Sequence, residues 1–184
     1  MNKKALKIGE FVAIYTDLDS ENFGVGKIIA VDDDNVIISG VEPTGEESGL
    51  TLYKINSIVR IEKHTEYNGK IERFIKLKNV KLFEHEFNSQ DILLELLLSA
   101  KNNKRIIDVQ LLESNKRDVT GIVSNADIEQ DICEIESVNY FGEPDGVCLF
   151  SISDISSIKY GGCENKDIEL LYNHNNYKKK IKTV

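Results

Sequence analysis

Apolar residues fall into short alternating runs separated by turn residues, a pattern that predicts strands. Phe11, Ala13 and Tyr15 alternate with Val12 and Ile14, so that strand is expected to be buried on both faces. Asp17-Leu18-Asp19-Ser20 reads as a turn, and Gly24 to Val31 as the second strand. Asp32-Asp33-Asp34 reads as a tight turn, because aspartate carboxylates satisfy nearby backbone donors. Asn35 to Val41 is the third strand, and Gly45 and Gly49 bracket a longer loop. Leu50 to Ile55 and Ile58 to Glu62 complete the set, broken by Asn56-Ser57. A second set is expected near Ile106–Leu112, Val119–Ser124, Asp131–Val138, Gly146–Ile152 and Ile155–Tyr160, with Ser153-Asp154 as the break.

The two sets are copies of one unit. Gly26 aligns with Gly121 and, after a two-residue insertion, Gly45 aligns with Gly142 and Gly49 with Gly146. Leu52, Ile55, Ile58 and Ile61 then align with Leu149, Ile152, Ile155 and Ile158. Spaced glycines followed by isoleucine at every third position mark an internal repeat. After each set comes an i, i+3, i+4 apolar pattern, Ile71-Phe74-Ile75 and Ile168-Leu171-Tyr172, which predicts a short helix. Asn68-Gly69 is also a hairpin signal, but the second copy lacks that dipeptide, so the helix is preferred.

Between the copies lies the clearest helix. Ser89 is its expected N-cap and Asp91 suits the positive helix end, while Lys101 and Lys104 suit the negative one. Ile92, Leu93, Leu96 and Leu97 form its stripe, and Leu94 and Leu98 widen it enough to predict packing between two units. The expected fold is mainly β with short helices: two tandem five-stranded small barrels joined by one amphipathic helix. Residues 1–88 hold the first barrel and a trailing short helix. Residues 89–184 hold the linking helix, the second barrel, a short helix and a basic tail.

A helix followed by five strands, the last two split by a short break, resembles the Sm/Lsm small-barrel family, and residues 89–160 fit that layout. Val109-x-Leu111 to Val119-x-Gly121 resembles the family's first two strands, and Tyr53-Lys54-Ile55-Asn56-Ser57-Ile58-Val59 is similar to the Tyr-Lys-His stretch of its bacterial host-factor branch. Ile55 stands where that branch has histidine, and neither copy has the Arg-Gly pair of the eukaryotic branch. The resemblance implies single-stranded RNA binding through Asn35, Tyr53 and Lys54, with Gln130 or Asp131 at the place of Asn35 in the second copy. The family pairs the fourth strand of one subunit with the fifth of the next. This implies a homo-oligomer through barrel edges, or two barrels in one chain satisfying each other's edges. An SH3-like or PRC-type barrel carries the same pattern.

Charge changes the picture of partners. The net charge is −8, and the second half is −9 once Lys178, Lys179, Lys180 and Lys182 are set aside. Phosphate backbones call for clustered Lys and Arg, so this balance favours a protein partner with a basic face. The Glu-rich loops place Glu46, Glu47, Glu143 and Asp145 as candidate partner contacts. Tyr53, Lys54, Arg60, Lys63 and Tyr67 are the closest approach to a basic-aromatic surface, and Asn35, Tyr53, Lys54 and Arg60 are the nucleic-acid candidates.

Catalytic and metal signatures are absent from the sequence. His64, His85 and His174 are scattered, and Cys133, Cys148 and Cys163 form no C-x-x-C; free thiols point to a cytoplasmic protein. Cys148, within a strand, is expected to be buried and inert, and Cys163 exposed. Asp17-x-Asp19-x-Glu21 fails as a calcium loop because Asn22 and Ile28 occupy the glycine and glutamate positions. No apolar run reaches membrane-spanning length, and the N-terminus lacks the apolar core of a secretory signal. The reading is a non-enzymatic protein-interaction or regulatory module with no cofactor or metal. Its alternatives are a single-stranded RNA binder and an immunity- or inhibitor-type protein that covers a basic enzyme surface.

Overall fold

β-Branched and aromatic residues at alternating positions form ten strands in the computed structural model, which describes residues 3–16, 23–112 and 119–182, the last five as backbone alone. The Asp17–Ser20 turn and the Asp17-x-Asp19-x-Glu21 stretch lie outside the described residues. The strands of the first copy are β1 (Phe11–Thr16), β2 (Gly24–Val31), β3 (Asn35–Val41), β4 (Glu47–Lys54) and β5 (Ile58–Lys63). Those of the second are β6 (Ile106–Leu111), β7 (Val119–Asp127), β8 (Ile132–Val138), β9 (Pro144–Phe150) and β10 (Ile155–Tyr160). Single 3₁₀ turns at Ile55–Ser57 and Ile152–Asp154 occupy the two expected breaks. From the third strand to the start of the trailing helix, the copies begin their elements on aligned residues, and β9 ends one residue sooner than β4.

Every strand pairing is antiparallel, and the order is β5-β1-β2-β3-β4-β10-β6-β7-β8-β9. The two barrels expected from the repeat are thus observed as one open ten-stranded sheet, each half keeping the order fifth, first, second, third, fourth. The cause is at the centre, where β4 takes β10 as its neighbour. Tyr53, Leu52, Thr51 and Leu50 lie opposite Ser157, Ile158, Lys159 and Tyr160. Register shifts at Ile28/Ala30 and Val123/Asn125 put a bulge in the second strand of each copy, which bends and twists it.

Period-two alternation sends the two faces of the first half into different cores. Val36, Ile38 and Tyr53 join Val12, Ile14 and Ile28 on one side. Ile37, Leu50 and Leu52 face the other way and join Val109, Val123, Ile135, Ile155 and Ile158 of the second half. Helix α2 (Ile92–Asn102) lies on this shared core through Ile92, Leu93, Leu96, Leu97 and Ala100, as its wide stripe predicts. Its N-cap is Asp91, whose side chain accepts from the Leu94 N–H at 2.9 Å; Ser89 instead accepts from the Asp91 N–H. Asp32, in the β2–β3 turn, reaches the same helix end and accepts from the Ile92 N–H at 3.0 Å.

The trailing patterns are helical in both copies. Helix α1 (Glu66–Lys78) starts at Thr65, which caps the Asn68 N–H. Asn68 is buried and donates to the Glu62 carbonyl, so Asn68-Gly69 lies inside the first turn and makes no hairpin. Ile71 packs on Ala13, Tyr15 and Val25, and Ile168 packs on Ile106 and Val138 at the matching place. Helix α3 (Cys163–Lys182) is longer than the expected short helix: its backbone continues through the lysine-rich stretch that was expected to be a tail. Among the described residues, no helix is long and apolar enough to cross a membrane.

Gly49 and Gly146, aligned in the repeat, both hold left-handed backbone, at φ +83° and +89°. A side chain on Gly49 would lie 2.3 Å from the Tyr160 carbonyl and 2.5 Å from the Gly162 nitrogen, whereas one on Gly146 would meet nothing within 4 Å. Gly146→Ala is therefore expected to cost about 1–2 kcal/mol, the left-handed backbone alone. Gly49→Ala should exceed it by at least ~2 kcal/mol, because rigid backbone across the junction must move. Urea unfolding at low protein concentration measures both.

Candidate functional site

Two of the four nucleic-acid candidates are held inside the protein. Asn35 is buried at the start of β3, where its side-chain amide donates to both carboxylate oxygens of Asp32 at 3.1 Å. Its backbone N–H donates to the same carboxylate at 2.6 Å, so Asn35 closes the β2–β3 turn. Tyr53 is buried against Ile38 and Ile55, with its hydroxyl near Thr51. Gly24 leaves room for that hydroxyl, since any side chain there would lie 1.9 Å from it. Lys54, half-buried opposite Asn35, adds its positive charge near Asp131. Asp131 itself accepts from the Ser153 N–H and hydroxyl, and these bonds hold its carboxyl below the usual range.

Arg60 is exposed on β5, stacked 3.8 Å above the Tyr15 ring and paired with Glu62 at 3.5 Å. Tyr15 stacks on Phe23, and Phe23 meets Tyr67 edge-on, so these aromatics line the α1 face of the first half. Asn35 and Tyr53 are thereby separated from Arg60 in chemistry as well as in place.

The acidic candidates divide differently. Glu47 is spent on the internal junction: it accepts from its neighbour Gly49 N–H and from Lys166 of α3 at 3.2 Å. Glu46 is exposed and lies 3.9 Å from Lys78. Glu143 and Asp145 are exposed at the start of β9, and Asn139 shapes that turn by accepting from the Phe141 and Glu143 N–H groups. Glu46 and Glu47 stand beside the centre of the sheet and Glu143 and Asp145 at its edge, so the four do not form one surface.

A groove of about 690 Å³ follows the β4–β10 junction and is lined by Thr51, Tyr53, Asp108, Ser157, Lys159 and Asn165 among others. Its buried polar groups bond one another. Asp108 accepts from Thr120 at 2.6 Å and from Asn165 at 2.8 Å, and Asn165 accepts from the Gly162 N–H. Exposed Cys163 borders the groove, Cys148 is half-buried on β9, and Cys133 is the buried thiol, pushed up to about 11 by burial. The expectation of a buried Cys148 fails because β9 is an edge strand. Among the described residues, no cluster of three or more His, Cys, Asp or Glu could hold a metal ion.

The barrel edges that the resemblance implies are the two edges of this one sheet. Among the described residues, β9 has β8 as its one neighbour and β5 has β1. Val147 and Leu149 are 58% and 63% exposed, while their aligned residues Leu50 and Leu52 are 1% and 0% exposed under β10. Beside them, Tyr140 and Phe141 are both 75% exposed. Edge strands are ordinarily blunted by charge. β5 follows that rule with Arg60, Glu62 and Lys63, whereas β9 is blunted at its start by Pro144 and Asp145 and carries no charge from Gly146 to Phe150. The signal was in the repeat. Two copies in one chain can make a single internal junction, which leaves one fourth strand and one fifth strand over.

The chain matches no protein-family model, no curated protein and no solved structure.

Tyr53 generates a pH prediction. Burial pushes its hydroxyl from 10 up to about 12. The fold favours the neutral form, so this contribution is complete below pH 10 and is lost as pH rises through about 12. Urea midpoints are expected to fall across that window, and more steeply in the native chain than in Tyr53→Phe. Below the window Tyr53→Phe should cost less than about 1.5 kcal/mol, because the ring and its packing are kept.

Proposed function

We propose that the chain is a non-enzymatic interaction module that takes up a partner's strand along β9. The observation that carries this reading is the uncharged, exposed edge from Gly146 to Phe150, whose aligned counterpart in β4 is covered by a strand. An added strand would pair with the free backbone groups of β9, and its alternate side chains would cover Val147 and Leu149. Burying what remains exposed of those two side chains is worth about 2–4 kcal/mol before the ordering of the partner is subtracted. The acidic flank of Glu143 and Asp145, with the net charge of −8, favours a strand with basic neighbours.

A synthetic peptide of residues Ser153–Gly162 carries β10 and is a direct probe, because β10 is the strand that covers β4. Labelled peptide is expected to bind the intact chain in a fluorescence titration. Leu149→Lys should weaken binding by about tenfold or more while leaving the melting temperature unchanged, because the side chain is exposed. Binding that is equal in the native chain and Leu149→Lys overturns the reading. Reversing Glu143 and Asp145 to lysine should slow association about tenfold at low salt, and the difference should shrink as salt is raised.

A further inference from the structure

The groove along the β4–β10 junction joins surfaces of different chemistry. Its floor is set by strand register. Thr51, Lys159 and Asp108 lie opposite one another on β4, β10 and β6, and Tyr53, Ser157 and Gln110 form the next row. All six line the groove, whose volume of about 690 Å³ suits a small ligand. Phe23, Val25, Val41, Pro43 and Tyr67 supply an apolar lining beside this polar floor.

Packing in the first copy puts other side chains at two of these places. Val12 pairs with Gly26 and Ile107 with its aligned residue Gly121, so Ala13 aligns with Asp108 and Tyr15 with Gln110. Ala13 and Tyr15 enter a core with Ile71 of α1, whereas Asp108 and Gln110 stand in the open groove. The acceptors of the floor are already used. Asp108 accepts from Thr120 and Asn165, and the Gln110 Oε1 accepts from the Ser157 hydroxyl at 3.1 Å. Among the described residues, the exposed Lys159 has no ion pair or hydrogen bond to its side chain, which leaves its ammonium as a donor in the groove. Two lining carboxylates are likewise exposed and unpaired among the described residues: Glu42, in the β3–β4 turn, and Glu164, in the first turn of α3.

We infer that this groove binds a small zwitterion with an apolar side chain, either a free amino acid or a short peptide with both ends free. A ligand that is only an anion would meet Glu42 and Glu164, and one that is only a cation would meet Lys159. A zwitterion satisfies both signs. Its carboxylate accepts from Lys159 and the Gln110 amide, its ammonium donates to Glu42 or Glu164, and its side chain covers the apolar lining. Bonds in which both groups are charged are the strong ones. The groove lies at the centre of the sheet and β9 at its edge, so this site is separate from strand uptake.

Calorimetric titration of the full chain with free phenylalanine, and with the tripeptide alanyl-phenylalanyl-alanine, tests this. At least one probe should give saturable heat at millimolar concentration or below, and the tighter of the two tells whether the site takes amino acids or peptide ends. The N-acetylated, C-amidated form of that probe should bind about tenfold more weakly or worse, because its charged hydrogen bonds are gone. Lys159→Ala should weaken the free-ended probe by about the same factor, with melting unchanged because the side chain is exposed. Leu149→Lys, outside the groove, should bind as the native chain does. Cys163 is exposed and borders the groove, so bound probe should slow its alkylation by a maleimide and leave that of Cys148 unchanged. No saturable binding of either probe overturns the proposal, as does equal binding of the blocked form. Binding that Lys159→Ala leaves intact, or that leaves Cys163 alkylation at its free rate, puts the ligand elsewhere and overturns the site.

Discussion

The backbone ladder between β4 and β10 is the constraint on which the rest of the architecture depends. Hydrogen bonds between these strands turn two five-stranded repeats into one sheet, and side-chain alternation then decides the cores. Because β4 is central, both of its faces are covered: Leu50 and Leu52 enter the core shared with α2, while Tyr53 enters the core of the first half. Without that ladder, Leu50 and Leu52 would be as exposed as Val147 and Leu149 are on β9. The polar groove beside the junction, and the ties of Glu47 to Lys166 and of Asp108 to Asn165, hold α3 against the same seam.

Much of this was legible in the residues. Alternation located the strands because all but β9 bury residues on at least one face, and the spaced isoleucines exposed the repeat because their contacts recur. The trailing helices followed from i, i+3, i+4 spacing, and Ile71 and Ile168 do fill matching sites. What failed was long-range. Local pattern does not say which strand a fourth strand will take as its neighbour; the resemblance allowed two barrels to satisfy each other's edges, and the two sets of strands are found joined in one open sheet. The candidate site suffered most. Asn35 and Tyr53 are polar residues in strands, which suggests a surface role, but their partners, Asp32 and Thr51, become apparent only once the turn and the strand are folded. Glu46 and Glu47 look alike in sequence, yet Glu47 clasps a helix and Glu46 faces solvent.

Aligned positions with unlike environments are the informative ones. Ser156 and Ser157 are buried in the junction where β5 has Val59 and Arg60 at the edge. Gly49 is crowded where Gly146 is open. The backbone has been kept in both copies while side chains have diverged with the neighbour each strand has. One junction carries additional polar ties, and the other edge pair carries bare backbone, apolar side chains and a few charges.

Asp32 bears on how the molecule comes apart. This one carboxylate, in a turn of the first half, receives the Asp34 and Asn35 N–H groups, the Asn35 amide and the first N–H of the helix that opens the second half. With the core under that helix drawn from both halves, the repeats have given up their independence. Heat or denaturant should find a single cooperative unit, and a protease cutting between the copies would release two fragments, each without the other's share of that core. Duplication made the chain modular in ancestry, and its packing has made it indivisible in practice.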